Sequence, residues 1–542
     1  MQPIVVAIFL VVFTVFASFG RKLYNARMTF IRMRGTGVPV APGHNFLFGH
    51  LLYLKTMLDK LPKDCHYVYA FADIYREHFQ NQGAFYLDLW PLSGIIMEVF
   101  SPTMTAAGLQ TNYEIATSRP DILPRFFKPI AGGPNIFDMA EPEWRPWRAV
   151  FSKGFNSEHF VSQLPGMIEE TNIYAESLRD LALKGEMFYL DLVTLRFMMD
   201  MIGKTLLNTK LEAQKGYNTL ADCMISQIRW HQAGAEVNPL GFLNVARLYI
   251  EWSNGRQMDK YVGKLLDERY EDYKNVPESK RSKSVIDLVL QAYLSKDSNV
   301  MPDKLDPEFR AFAIRQIRLF VFVGHDSTSS TICYCLHLVS KNPDALARLR
   351  AEHDSVFGTD ISTLSTLLTS RPHLINSLPY TNAVIKETLR LFPPASASRQ
   401  GKKNVNLTDD QGNTCPTDGA VVLVFHYGMQ RSPKYWVRPD EFLPERWLVE
   451  PGHELYPMRN AWRPFEHGPR NCIAEGMVMT EIKLVLAHLA REFEFKDAYE
   501  EWDSLNPRKG PKTYRGERAY QVEQGAAHPA QNYPCRVSLC TR

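Results

Sequence analysis

The sequence predicts a large, mainly α-helical body with small β-sheets behind an N-terminal transmembrane helix. Three features predict it. Residues 309–341 contain no proline and a single glycine, Gly324. A helix of that length spans about 50 Å, and its centre, LFVFVGHDSTSSTICYCL, is apolar nearly all round, as a buried helix must be. Strand-like segments are few and short: AVVLVF at residues 420–425 and a weaker one at residues 84–90. The third feature is the uncharged run PIVVAIFLVVFTVFASF at residues 3–19, followed by Arg21, Lys22, Arg27, Arg32 and Arg34.

A run of about 17 to 20 apolar residues is at the lower limit for crossing a bilayer as a helix. The basic cluster behind it should stay cytoplasmic. No basic stretch precedes the run, as one would in a cleaved signal peptide, so residues 1–20 read as an uncleaved anchor. Residues 35–50, GTGVPVAPGHNFLFGH, are too rich in proline and glycine for a helix. With the basic cluster they read as a stiff hinge over residues 21–50. Residues 51–542 then form one body, since no repeat and no second linker follows.

Composition narrows the function. The 542 residues are 45% hydrophobic and 22% charged, which fits a globular chain and not a disordered one. A formal net charge of +3 is too even for a nucleic-acid binder. The cysteines are scattered, with no Cys-x-x-Cys pair, which points away from a disulfide scaffold and from a zinc ribbon. The sequence Gly203-Lys204-Thr205 is not a phosphate loop, because Met198 stands where the first glycine would be.

The most informative segment is FEHGPRNCIAEG at residues 465–476, followed by a helical pattern. Its lone cysteine, Cys472, precedes a helix, where the helix N-terminus favours a thiolate. With no second cysteine or histidine at ligand spacing, that thiolate suits heme iron better than zinc. Two further patterns stand out. Glu387 and Arg390, at an i,i+3 spacing, share one helix face, and Arg446 follows in Pro444-Glu445-Arg446-Trp447. Mid-way along the long helix lies Val323-Gly324-His325-Asp326-Ser327-Thr328, where a buried acid and alcohol are costly unless hydrogen-bonded or useful.

Together these segments resemble the cytochromes P-450. FEHGPRNCIA resembles the heme loop F-x-x-G-x-R-x-C-x-G through Phe465, Gly468, Arg470 and Cys472, with Ala474 in place of the last glycine. The resemblance implies heme b, with Cys472 as axial iron ligand, Arg470 on a propionate and Phe465 against the sulfur. Glu387, Arg390 and Arg446 match the family's structural triad. Gly324, Asp326, Ser327 and Thr328 match its oxygen-activation signature. There a groove in the helix would hold dioxygen and a relaying water. Asp326 would bring protons from solvent, and Ser327 or Thr328 would present a hydroxyl. Ser327 replaces the usual threonine, and Val323 replaces a small residue. Trp144 and Arg148 match W-x-x-x-R and, with Arg399, would reach the propionates.

The resemblance implies a cytochrome P-450 fold, with the long helix over the heme, and a heme-thiolate monooxygenase. The chain carries no dinucleotide fingerprint, so electrons from NADPH would come from a separate flavoprotein, NADPH–cytochrome reductase, or from a cytochrome b-type donor. Arg145, Lys153, Arg459, Arg463 and Lys483 are the expected docking face. The enzyme would sit in the endoplasmic reticulum membrane, single-pass, with its body in the cytosol. A lipophilic substrate is expected, a polyketide- or terpenoid-derived fungal secondary metabolite, lined by residues 122–137, which would move as a lid, by the centre of the long helix and by the small residues 395–398. The alternatives are a heme-thiolate isomerase or dehydratase needing no external electrons, a fatty-acid or sterol hydroxylase, and a non-catalytic heme binder.

Overall fold

The computed structural model describes residues 2–231, 243–275, 284–294 and 302–540. Helix α1 (Gln2–Arg34) carries the apolar run, and its side chains from Ile4 to Phe16 are exposed. It is long and apolar enough to cross a membrane. The helix does not stop at residue 20. Basic residues are good helix formers, so α1 continues through the expected hinge and breaks only at the Gly35–Gly37 turn.

The far end of α1 is fastened to the body. Arg27 is fully buried and donates to Asp88 at 2.5 Å, and to the carbonyls of Phe46, Leu47 and Trp90. Residues 38–50 are non-helical, as expected, but packed: Val40 pairs with Tyr86, and His50 is buried against Ala41 and Asp88. The hinge is therefore part of the body.

The body is organised around α7 (Pro307–Lys341), the expected long helix. Asp306 caps its start by accepting from the Glu308 and Phe309 N–H groups, and Pro307 occupies the first turn. Asn342, preceding Pro343, is extended and ends it. Before it in the chain come α2 (Ile122–Ala131), α3 (Trp144–Ser152), α4 (Leu190–Leu207), α5 (Thr219–Trp230) and α6 (Val245–Asn275). After it come α8 (Pro379–Leu391) and α9 (Glu475–Leu489). Together they bury α7 in the main core, and α4 lies closest along its length.

Sheets are small, as the sequence predicts. Strand β1 (Ala84–Asp88) runs antiparallel to β2 (Ile95–Val99), which lies parallel to β4 (Ala420–Val424), with β3 (Ala397–Gln400) antiparallel on its edge. The two segments singled out from the sequence are β1 and β4. Near the C-terminus, β5 (Gln521–Gln524) and β6 (Ala526–Pro529) form a hairpin against α7.

One buried group in this frame works against stability. Glu481 on α9 is fully buried, neither carboxylate oxygen has a hydrogen-bond partner, and burial pushes its pKa up to about 8. A carboxyl raised in the fold contributes stability that is present below the unfolded pKa, near 4.5, and is lost as pH rises towards 8. Glu481→Gln removes this term. Thermal unfolding of the variant should depend less on pH between those values than that of the parent, with the variant the more stable at pH 8.

Candidate active site

Within residues 316–339 of α7, all are buried except Val323 and Ser327. These stand four apart and share one helix face, so the buried helix is open at a single place. Ser327 occupies that opening and donates back to the Val323 carbonyl at 3.2 Å, the back-bond expected of a mid-helix alcohol. The neighbouring Thr328 hydroxyl is buried on another face without a hydrogen-bond partner. Gly324, expected among the catalytic residues, instead faces α4. A Cβ there would stand 2.6 Å from Ile202 Cδ1, so this glycine lets two helices pack closely.

Asp326 is held by the C-terminal segment. It is 2% exposed and turned toward the C-terminal hairpin. Its Oδ2 accepts the Ala526 N–H at 2.5 Å and its Oδ1 lies 3.2 Å from His528 Nε2. His528 Nδ1 in turn lies 2.9 and 3.0 Å from the two oxygens of Asp191, at the start of α4. Burial opposes charge on His528, but Asp191 and Asp326 outweigh it and raise its pKa to about 10.

The cysteine loop is held by its own backbone. The Cys472 N–H donates to the Phe465 carbonyl at 2.7 Å. At Gly468 the chain turns through φ +89°, and a Cβ would collide with the Leu109 carbonyl, so only glycine fits. Ala474 sits at φ −101°, open to any residue, which explains how it stands for the missing glycine. The helix N-terminus favours the Cys472 thiolate as expected, but does not set the net shift. Burial pushes the thiol up and outweighs the Ala474 and Glu475 N–H groups and Arg148. A bound metal would supply the missing counter-charge and ionise it.

Around this loop, arginines converge with too few acceptors. Arg470 donates to Thr117 and Met139 carbonyls, stacks 4.0 Å over Trp144, and leaves its Nη1 unpartnered. Arg399 is buried, bonds Ala116 and Ser398 carbonyls, and leaves its Nη2 unpartnered. Arg148 donates to Asn471. Arg119, which the sequence did not single out, stacks on Phe137 with its Nε buried and unpartnered. Burial and mutual repulsion pull Arg119 well below its ordinary value and Arg470 down to about 9. Such a cluster fits an anionic ligand with carboxylates. No local pattern marks Arg119 in Ser118-Arg119-Pro120.

Behind the loop lies the predicted triad. Arg390 forks Glu387 at 2.8 and 2.9 Å, and Arg446 reaches the same carboxylate at 3.1 Å, all fully buried. Trp447 and the Leu443 N–H complete it. Arg390 also donates to the Gln430 carbonyl, and Gln430 accepts the Arg463 N–H. Arg463 pairs with Glu466, which His426 grips at 2.5 Å. This chain of contacts runs from the triad to the residue beside Phe465. It also removes Arg463 from the expected docking face, because Arg463 is buried. Arg145, Lys153 and Arg459 are exposed, and Lys483 is half-buried.

In α2, expected on the substrate side, Phe127 meets Phe137 and Phe322. Its C-terminal end is tied to α7. Arg318 on α7 donates to the Pro129 and Ile130 carbonyls, and Gln316 holds the Ile136 N–H. Ala395 and Ser396 are exposed, and Ala397 and Ser398 are half-exposed.

The sequence profile of the Cytochrome P-450 family matches residues 49–522. The chain belongs to the cytochrome P-450 family. It is 39% identical, over 99% of its length and 96% of the relative's, to the cytochrome P-450 monooxygenase polC of Polytolypa hystricis. It is 29% identical to the monooxygenase acrF of Aspergillus aculeatus, over 88% of this chain and 98% of that one. The crystal structure of the cytochrome P-450DA heme domain superposes with a TM-score of 0.69 at 17% identity, covering 93% of this chain and 98% of that one. This cytochrome P-450 is thus a heme-thiolate monooxygenase that binds heme b, takes electrons from a redox partner and acts on a lipophilic substrate. Its residues fit that cofactor: a cysteine without a zinc partner, incompletely paired arginines for two propionates, and one opening on the central helix.

Glu387→Gln leaves two buried guanidinium groups facing a neutral amide. The cost should be about 3–5 kcal/mol, read as a lower urea midpoint with loss of heme. Arg119→Leu removes a propionate donor and like-charge crowding together. Heme should transfer faster from this variant to apomyoglobin, while the urea midpoint of the apoprotein stays the same or rises.

Proposed function

We propose that this cytochrome P-450 inserts oxygen into a polyketide- or terpenoid-derived fungal metabolite, with Cys472 as the axial ligand of heme iron. The observation that carries the site assignment is the opening within residues 316–339 of α7, where Val323 and Ser327 alone are half-exposed. Heme b, when bound, supplies oxygen activation and insertion. Trp144, Arg148, Arg399, Arg470 and Arg119 would hold its propionates. Phe465 would pack at the sulfur, and Gly468 would keep the loop turned. Glu387, Arg390 and Arg446 hold the scaffold beneath.

On the other face Ser327 orients a proton at the opening, with Asp326 one residue behind it as carrier. Thr328, turned into the core, packs α7. Val323 beside Ser327 narrows the opening and should favour a substrate presented edge-on. The aromatic wall of Phe127, Phe137 and Phe322 suits a polycyclic hydrocarbon surface. Fungal relatives over 99% and 88% of this chain support a fungal metabolite.

The donor we propose is NADPH–cytochrome reductase, with a cytochrome b-type protein as a second source, docking at Arg145, Lys153 and Arg459. Residues 1–20 would cross the endoplasmic reticulum membrane once. The basic residues after them would then place the body in the cytosol, at an angle set by the Arg27–Asp88 pair.

A strain lacking this chain should accumulate one lipophilic precursor. Purified enzyme should convert it only with reductase, NADPH and dioxygen, and Ser327→Ala should divert NADPH to hydrogen peroxide. Conversion unchanged without reductase would favour the isomerase or dehydratase.

A further inference from the structure

A cavity of about 20 Å³ lies beside the Asp326–His528 contact, lined by Leu192, Leu195, Ile228, His325, Gln524 and Arg229. That is enough for one water. Its walls are polar where a water needs them. His325 Nε2 is buried there without a hydrogen-bond partner, its Nδ1 being engaged by the Val321 carbonyl. At the other end Arg229 is exposed and Gln524 half-exposed. The cavity therefore joins the surface to the one acid on the buried stretch of α7.

His528 closes the inner side of this cavity. It comes from β6, whose partner strand meets it across Gly525. A Cβ at Gly525 would stand 2.6 Å from Asp326 Oδ2, so the hairpin tip is pressed against that carboxylate. From α4, Asp191 takes the other ring nitrogen, and Cys333 and Thr194 lie beyond it. A histidine with both nitrogens on buried carboxylates is fixed in orientation and in charge.

We propose that His528, braced by Asp191, is the positioning residue that holds Asp326 at the inner end of a water-filled proton path opening at Arg229. The inference rests on the reading of Asp326 and Ser327 as the proton-handling pair, and adds what orients the first and where its protons enter. Each dioxygen reduced at the site takes up two protons with two electrons if it leaves as hydrogen peroxide. It takes up four of each if it leaves as two waters. The electrons come from NADPH through the reductase, and the protons must come from solvent past Asp326. The water in the cavity gives a proton to Asp326 as Asp326 passes one toward Ser327, and bulk solvent at Arg229 replaces it. His528 Nε2 faces one oxygen of Asp326 and the Ala526 N–H donates to the other, which holds the carboxyl beside the cavity.

The test uses the full-length holoenzyme with reductase, NADPH and dioxygen, and no organic substrate. His528→Gln should slow dioxygen consumption at least about tenfold, in line with a positioned proton-transfer group. It should also raise the rate ratio between H₂O and D₂O, with heme content unchanged. Asp191→Asn, which keeps the shape and removes the brace, should act in the same direction. The double variant should lose no more than His528→Gln alone, because the two act as a unit. A second readout needs no turnover. A histidine raised from 6.5 to about 10 contributes stability present below 6.5 and lost as pH rises through 10, so His528→Gln should flatten thermal unfolding over that window. Wild-type rate and isotope ratio in both single variants, with Asp326→Asn slowed, would overturn the inference and leave the reading of Asp326 standing. Asp326→Asn at the wild-type rate would sink that reading itself. If His528→Gln does not fold, Asp191→Asn decides.

Discussion

Positive charge without enough acceptors is the constraint around which the centre of this protein is built. Arg119, Arg148, Arg399 and Arg470 are drawn together by contacts to carbonyls and aromatic rings, and three of them keep a buried nitrogen without a partner. Burying like charges this way is unfavourable unless an anion enters between them. The two carboxylates of heme b would answer that demand. The Cys472 thiol, disfavoured as a thiolate by burial, would be answered by its iron. Cofactor and apoprotein would then be complementary in charge at both places.

Rigidity reaches this site from behind. The Glu387 network satisfies its carboxylate and all five donors of Arg390 in the buried interior. Removing one member would leave others stranded, which is why such a network fixes geometry more than it adds stability. Through Gln430, Arg463 and Glu466 the same rigidity is passed to the cysteine loop. On the opposite side, Asp326 is fixed by a hairpin from the C-terminus and by α4, so both faces of the site are assembled from distant segments.

That division explains what was legible beforehand. Cys472, Arg470, Glu387, Arg390, Asp326 and Ser327 fall within short segments whose spacing encodes their geometry, and the long helix announces itself by composition. Arg119, His426 and His528 do not, because each acts on a partner brought near only by tertiary packing. A lone histidine between Ala527 and Pro529 carries no local signal for two carboxylates far away in the chain. The direction of Gly324 was illegible for a related reason, since a glycine in a helix serves either a groove or a close neighbour. The anchor helix runs past residue 20 because charge does not break helices. Arg27 needed Asp88 to show that the end of the anchor helix belongs to the body.

The most direct measurement is the absorption spectrum of the purified, reduced protein under carbon monoxide. The account predicts a Soret band shifted strongly to the red, the sign of a thiolate opposite the gas, and its loss in Cys472→Ser with the fold retained. A wild-type band at the position given by a histidine-ligated heme, or protein that purifies without any tetrapyrrole, would contradict it.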